Sequence, residues 1–129
     1  MTPETSLFLD KADRTLQEAD AMVSIALYDP AGRTAYLAAF HAAPALISER
    51  TGRSVKTHAG VHSEFHRLTK NDIDLPVDLR AFLRQAYNLK SHADYDINPD
   101  SGLSPDRAED AVATAKRFVA WFRGKLAEE

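Results

Sequence analysis

The chain has 129 residues, of which 44% are hydrophobic and 27% charged, and its net charge is −3. This composition is typical of a soluble globular protein, and we expect one domain over residues 1–129. The absence of cysteine excludes disulfides and thiolate metal sites. No signal peptide and no apolar run near the ~20 residues of a transmembrane helix is visible, so we expect a cytoplasmic protein that does not enter the membrane.

Two long helices are predicted in the N-terminal part of the chain. The first runs from about Thr5 to Leu27, because apolar residues recur there at three- and four-residue steps. The segment Asp29–Gly32, with its proline and glycine, is expected to break it. The second helix runs from about Arg33 to Arg50, is rich in alanine, and should end at Thr51-Gly52.

Three further helices complete the prediction. Thr57 is a good N-cap for the third, and Pro76 fits the first turn of the fourth, which extends through Leu79–Tyr95. Ser104-Pro105 supplies the cap and first-turn proline of the last. No segment alternates apolar and polar residues long enough to form a strand. The fold class is therefore all-α, an antiparallel up-and-down bundle of four to five helices.

Charge is distributed unevenly along the chain. Residues 50–70 are basic and contain three histidines, with Glu64 as their one acid, whereas residues 94–110 are acidic with Arg107 as their one base. Such polarity can steer an anionic partner toward one face. The alternative is that each segment simply solvates its own surface.

The three histidines of the third helix, His58, His62 and His66, lie four residues apart and so share one helix face. Histidines at this spacing can bind a divalent metal, but no acidic residue stands at a matching step to complete a site. We therefore predict a solvated, mildly basic face, with no metal and no cofactor. On the second helix, Tyr36 is expected in the core with its hydroxyl hydrogen-bonded.

Two stretches resemble a known family. One contains Tyr36 and Phe40 in an alanine-rich helix, followed by Lys56-Thr57-His58-Ala59-Gly60; the other is Ala86–Asp96, which contains Ala93-Asp94-Tyr95. Their order and distances are similar to those of the small stand-alone HEPN-domain proteins of bacteria and archaea, over nearly the whole chain.

The resemblance implies a helical bundle that forms a homodimer and is often encoded beside a nucleotidyltransferase, with which it can form a toxin–antitoxin pair. Active members are metal-independent ribonucleases, and their signature is an arginine followed after four to six residues by a histidine. This sequence departs from that signature. If Tyr95 matches the family's tyrosine, Asn88 and Ala93 occupy the arginine and histidine positions, and Arg84 lies too far upstream.

Some residues near the end of the fourth helix could still carry out this chemistry. His92 could manage protons and Lys90 could stabilise the phosphorane charge, with Tyr95 beside them, although lysine lacks the arginine fork. Alternatively, Lys90 and Asp94, four residues apart, simply pair. The remaining candidate binding residues are Asn88, Ser91, Asp94, Lys56 and His58. Two copies would bring these polar helix ends together in one cleft.

Three functional hypotheses follow from the resemblance. The missing signature favours a non-catalytic dimeric module that binds RNA or nucleotide and pairs with a nucleotidyltransferase. The second hypothesis is a ribonuclease toxin, and the third is a purely structural dimerisation domain.

Overall fold

Two long helices pack against each other in the first part of the chain. In the computed structural model, which describes residues 1–129, these are α1 (Pro3–Ser24) and α2 (Tyr28–Thr51). The predicted break at Asp29–Gly32 is wrong, because those residues lie inside α2 and the chain turns at residues 25–27, where Ala26 has a positive φ of 63°. Pro30 is tolerated because the first N–H groups of a helix have no helical acceptor.

Three more helices follow: α3 (His58–Thr69), α4 (Val77–Tyr95) and α5 (Pro105–Ala127). A short 3-10 helix, Pro99–Ser101, lies between the last two. Thr57 and Ser104 cap α3 and α5 through their side chains, as predicted. Pro76 immediately precedes α4 instead of lying in its first turn.

Helix α2 is the central element, since it contacts each of the other four helices. Buried alanines lie on nearly every side of α2, and such small side chains let neighbouring helices approach closely. The largest fully buried side chain of the protein, Tyr36, also lies on α2. The buried alanines of α2 are Ala31, Ala35, Ala38, Ala39, Ala42, Ala43 and Ala45.

The five α-helices and the absence of strands confirm the all-α bundle that the sequence predicts. None of these helices is both long enough and apolar enough to cross a membrane. Two helices are joined to α2 by side-chain hydrogen bonds. Helix α3 crosses α2 near Tyr36, and the C-terminal part of α4 reaches the first turns of α2.

Candidate functional site

The hydroxyl of Tyr36 is shared by two histidines of α3. It lies 2.8 Å from Nδ1 of His58 and 2.9 Å from Nε2 of His62. The prediction of a bonded core tyrosine is confirmed. The prediction of a solvated histidine face is wrong for His58 and His62, which are half-buried, and holds for the exposed His66. The difference arises because α3 packs its first two turns against α2.

Proton placement in this triad is restricted. A tyrosine hydroxyl has one hydrogen, so it donates to one histidine and accepts an N–H from the other, which allows two arrangements of neutral rings. Burial lowers the pKa of both His58 and His62, with Lys90 contributing at His58 and with His58 and Arg84 contributing at His62. Burial also raises the pKa of Tyr36 well above its ordinary value, with a further contribution from Tyr87. The three groups therefore stay uncharged at neutral pH.

Aromatic rings surround the triad. Phe40 stacks on the imidazole of His58 with centroids 4.2 Å apart, and Tyr87 of α4 meets the ring of Tyr36 edge-on at 5.4 Å. Tyr87 remains 37% exposed as a whole residue. Together with His58, Ala59 and His62 it borders a shallow cavity of about 200 Å³. The cluster thus presents one open aromatic ring beside two neutral histidines.

The start of α3 explains the Lys-Thr-His-x-Gly pattern in structural terms. The Thr57 hydroxyl accepts a hydrogen bond from the N–H of Gly60 at 3.0 Å. A Cβ added at Gly60 would lie 2.8 Å from that hydroxyl and 2.6 Å from Val55 Cγ1. Glycine is needed here so that the cap can close, and the cap fixes His58 in the first turn, facing Tyr36.

At the end of α4, the cations are neutralised within the chain. Lys90 Nζ lies 2.9 Å from Asp94, the pairing that the sequence offered as an alternative to a catalytic role for Lys90, and the same carboxylate accepts from Arg33 Nε of α2 at 2.7 Å. The hydrogen bond from Lys90, followed by that from Arg33, lowers the pKa of Asp94. Lys90 also lies 5.5 Å from the ring centre of Tyr95 and 6.0 Å from that of Tyr87.

His92 faces carboxylates instead of these cations. Its Nδ1 lies 3.1 Å from Asp96, and its Nε2 lies 4.0 Å from Asp29. Asp29 also accepts the backbone N–H of Leu103 at 2.6 Å, which fastens the loop after α4 to the start of α2. The surroundings of His92 are therefore acidic.

The structure divides the sequence-predicted residues into separate groups. Lys90, Tyr95 and Asp94 are neighbours, and Lys90 is close enough to His58 to affect its pKa. His92 belongs with Asp96. The side chains of Asn88, Ser91 and Lys56 make no hydrogen bond within the chain, and Asn88 and Lys56 are exposed. No three histidine or acidic side chains come together as they would at a metal site.

Sequence reasoning did not select several side chains that the packing brings together. Tyr87 closes the aromatic cluster, and Arg80 and Arg84 of α4 line a groove opposite His62 and His66 of α3. The equal four-residue spacings on the two helices were visible in the sequence. The sequence did not reveal that these two helix faces lie opposite each other across a groove.

Comparison with known proteins places this architecture in a family. A model of the HEPN domain matches residues 5–125, which is nearly the whole chain. The chain belongs to the HEPN domain family. The resemblance drawn from the sequence is thereby confirmed, and this HEPN chain carries the aromatic–histidine cluster and the self-paired end of α4 described above.

Individual relatives cover almost the full HEPN chain. A UPF0332 protein of Archaeoglobus fulgidus is 32% identical over 116 residues, which cover 90% of each chain. A UPF0332 protein of Gloeobacter violaceus is 30% identical over 119 residues, or 92% of this chain and 93% of the relative. A Methanocaldococcus jannaschii protein that bears the name "Putative toxin" is 28% identical over 125 residues, or 97% of this chain and 90% of the relative.

Proposed function

We propose that this HEPN chain is a dimeric module that binds RNA or a nucleotide and pairs with a nucleotidyltransferase, as the two halves of a toxin–antitoxin system do, without cleaving RNA itself. The toxin name of a relative that covers 97% of the chain supports the toxin–antitoxin part of the proposal. The partner would be a protein encoded nearby with a nucleotidyltransferase signature.

The observation that carries the binding part is the exposed ring of Tyr87. Single-stranded RNA and nucleotides bind proteins by stacking bases on open aromatic rings and by placing phosphates on nearby cations. Tyr87 offers such a ring, His58 and His62 offer neutral hydrogen-bonding groups beside it, and Lys90 lies 6.0 Å from its centre. A base on Tyr87 would therefore have polar partners within reach, and Lys90, although paired with Asp94, lies near the ring.

The pairing at the end of α4 supports binding without cleavage. A ribonuclease needs a proton-transferring group and a free cation beside the same phosphate. Here Asp94 forms ion pairs with both Lys90 and Arg33. His92 lies between the carboxylates of Asp96 and Asp29. These carboxylates would repel a phosphate from His92.

Base stacking is tested by substituting Tyr87 and titrating a fluorescent single-stranded RNA against the protein. Stacking is worth ~1–3 kcal/mol per base, so Tyr87→Leu should weaken binding by at least about fivefold. Tyr87→Phe keeps the ring and should bind as the wild type does. Equal affinity of Tyr87→Leu and the wild type would remove Tyr87 from the binding surface.

A ribonuclease toxin is the second candidate function, and one observation favours it. Nδ1 of His92 lies 3.1 Å from Asp96, and a carboxylate in that position can orient a histidine for proton transfer. Expression of the wild type and of His92→Ala in a bacterial host distinguishes the two candidates. Toxicity that His92→Ala abolishes would favour the ribonuclease, whereas the binding module predicts no toxicity that depends on His92.

Dimerisation is tested separately by measuring the mass of the purified chain in solution by light scattering. We expect twice the mass of one chain at micromolar concentration. A monomer would contradict the dimeric part of the proposal. The RNA titration would then test whether a single copy binds RNA.

A further inference from the structure

A basic groove separates α3 from α4 beside the aromatic cluster. Its cavity measures about 300 Å³ and is bordered by His62 and His66 on one side and by Arg80 and Arg84 on the other. Phe65 and Leu83, both buried, also line it, and no acidic residue does. We call these four basic residues and the space between them the α3–α4 groove.

The two arginines of this groove lack carboxylate partners. Arg80 and Arg84 lie one turn apart on α4 and form no salt bridge. Two other arginines, Arg14 on α1 and Arg107 on α5, are also without a salt bridge. The remaining arginines are each paired with an aspartate or glutamate: Arg33, Arg50, Arg53, Arg67, Arg117 and Arg123. Even the basic segment 50–70 is partly neutralised, because Glu64 pairs with both Arg53 and Arg67. The uncompensated charge of α4 is therefore concentrated in the groove.

Arg80 is held in position with one donor unused. Its Nη2 donates to the backbone carbonyl of Asp72, whereas its Nε is the only buried side-chain nitrogen or oxygen in the structure without a hydrogen-bond partner. A buried donor without a partner is unfavourable, and a ligand oxygen that reached it would remove that penalty. The arginine fork matches the oxygens of a phosphate.

His62 can provide a neutral donor to the same space. Its Nε2 is bonded to the Tyr36 hydroxyl, and its Nδ1 has no partner in the chain. When Tyr36 donates to Nε2, the ring proton must lie on Nδ1, and His58 then donates to Tyr36. One of the two arrangements of the triad thus gives His62 an N–H that is free to bind a ligand.

We propose that the α3–α4 groove binds a phosphate group of an RNA strand, with Arg80 and Arg84 on its oxygens and His62 as an additional donor. This inference rests on the proposed function, because His62 borders both the groove and the cavity beside Tyr87. A strand that stacks a base on Tyr87 would bring its neighbouring phosphate to Arg84, one turn away on the same face of α4. A free nucleotide phosphate has the same chemistry and is the other source that the experiment separates.

The experiment titrates a fluorescent ten-residue oligouridylate, in a series of salt concentrations, with wild type, Arg84→Gln, Arg80→Gln and Arg14→Gln. Arg84 is exposed, so its substitution leaves the fold intact, and circular dichroism checks the Arg80 variant. Arg14 is the matched control, because it too is exposed and unpaired, and α1 contacts neither α3 nor α4. Loss of one phosphate contact should weaken binding about five- to tenfold and reduce the slope of log K against log salt by ~0.7. Arg14→Gln should bind within about twofold of the wild type.

The outcomes separate this inference from the proposed function. RNA binding that Tyr87→Leu weakens and Arg84→Gln does not would overturn the groove and leave the proposed function standing. If the wild type binds AMP but not RNA, loss of AMP binding in Arg84→Gln would assign the groove to a free nucleotide. Unchanged AMP binding in that variant would overturn the groove. A wild type that binds neither probe would contradict both proposals.

Discussion

The Tyr36 hydroxyl and Nδ1 of His58 lie 2.8 Å apart, and this hydrogen bond joins the centre of α2 to the first turn of α3. His62 makes a second bond to the same hydroxyl one turn later. These two bonds to a fully buried tyrosine, together with the buried side chains of Val61 and Phe65, hold α3 on the bundle.

Removal of that hydroxyl should destabilise the protein. Tyr36→Phe leaves two half-buried imidazoles without their shared partner, and an unsatisfied buried polar group costs about 1–3 kcal/mol. Urea unfolding followed by circular dichroism measures the change in the free energy of unfolding. His66→Gln is the control on the same helix face, and it should change stability by less than about 0.5 kcal/mol because His66 is exposed and unbonded. Equal effects of the two substitutions would contradict the role of the hydroxyl.

Stability should fall as the solution is acidified. Burial, with a contribution from Lys11 and then His58, lowers the pKa of His41 from 6.5 to about 4, and the pKa values of His58 and His62 are also lowered. A histidine with a lowered pKa imposes no penalty on folding well above pH 6.5, because it is then neutral in both the folded and the unfolded state. Below that pH the unfolded chain takes up protons that the folded chain does not.

The resulting loss is up to about 1.4 kcal/mol per pH unit for each such histidine, between pH 6.5 and the folded pKa. Unfolding free energies measured from pH 7 to pH 4 check this, and His41→Gln should have a flatter profile than the wild type over that range. A wild-type stability that stays constant or rises on acidification would show that these histidines are not held neutral by the fold.

Two glycines in helices should respond to alanine with opposite signs. Gly60→Ala places a Cβ against Thr57 and Val55 and disrupts the cap of α3, which should cost about 0.5–2 kcal/mol. Gly124→Ala meets no atom within 4 Å and should stabilise α5 by up to about 1 kcal/mol. Thermal unfolding of both variants measures the two shifts. A Gly60→Ala variant as stable as the wild type would mean that the cap does not need glycine.

Most of the fold was predictable because its signals are local. Helix caps such as Thr57 and Ser104, and apolar residues at helical spacing, are recorded in neighbouring residues. The misplaced break at Asp29–Gly32 shows the limit of that reasoning, since proline and glycine are tolerated in a first helical turn and at a close helix contact. Gly32 packs against Leu89 of α4 and against Leu103 of the loop before α5, which the local sequence does not reveal.

The site was less predictable because its contacts join distant parts of the chain. The Lys90–Asp94 pair follows from spacing within one helix and was one of the two alternatives that the sequence left open for Lys90. Two other contacts depend on which faces of different helices meet. These are the hydrogen bond of Arg33 to Asp94 and the bonds of the two histidines to Tyr36. The same is true of Arg80 and Arg84, whose spacing alone does not indicate that α3 lies opposite.

Release of Lys90 should strengthen RNA binding. Asp94→Asn frees Arg33 and also Lys90, which lies near Tyr87. We therefore expect a two- to fivefold gain in affinity for single-stranded RNA at low salt, because the added positive potential attracts phosphate. Stability should change by less than about 1 kcal/mol, since the ion pairs are at the surface. Asp78→Asn is the control, because it frees Arg117 near the other end of α4 with the same change in net charge. An equal gain in both variants would indicate a general charge effect with no role for Lys90.

The central claim, binding of RNA without cleavage, is tested most directly by incubating end-labelled single-stranded RNA with the purified wild-type chain. Native and denaturing gels of the same samples report the bound fraction and the length of the RNA. The account predicts a retarded complex in which the RNA stays full length. Cleavage of the RNA by the wild type but not by His92→Ala would contradict it. The absence of any complex would contradict it as well.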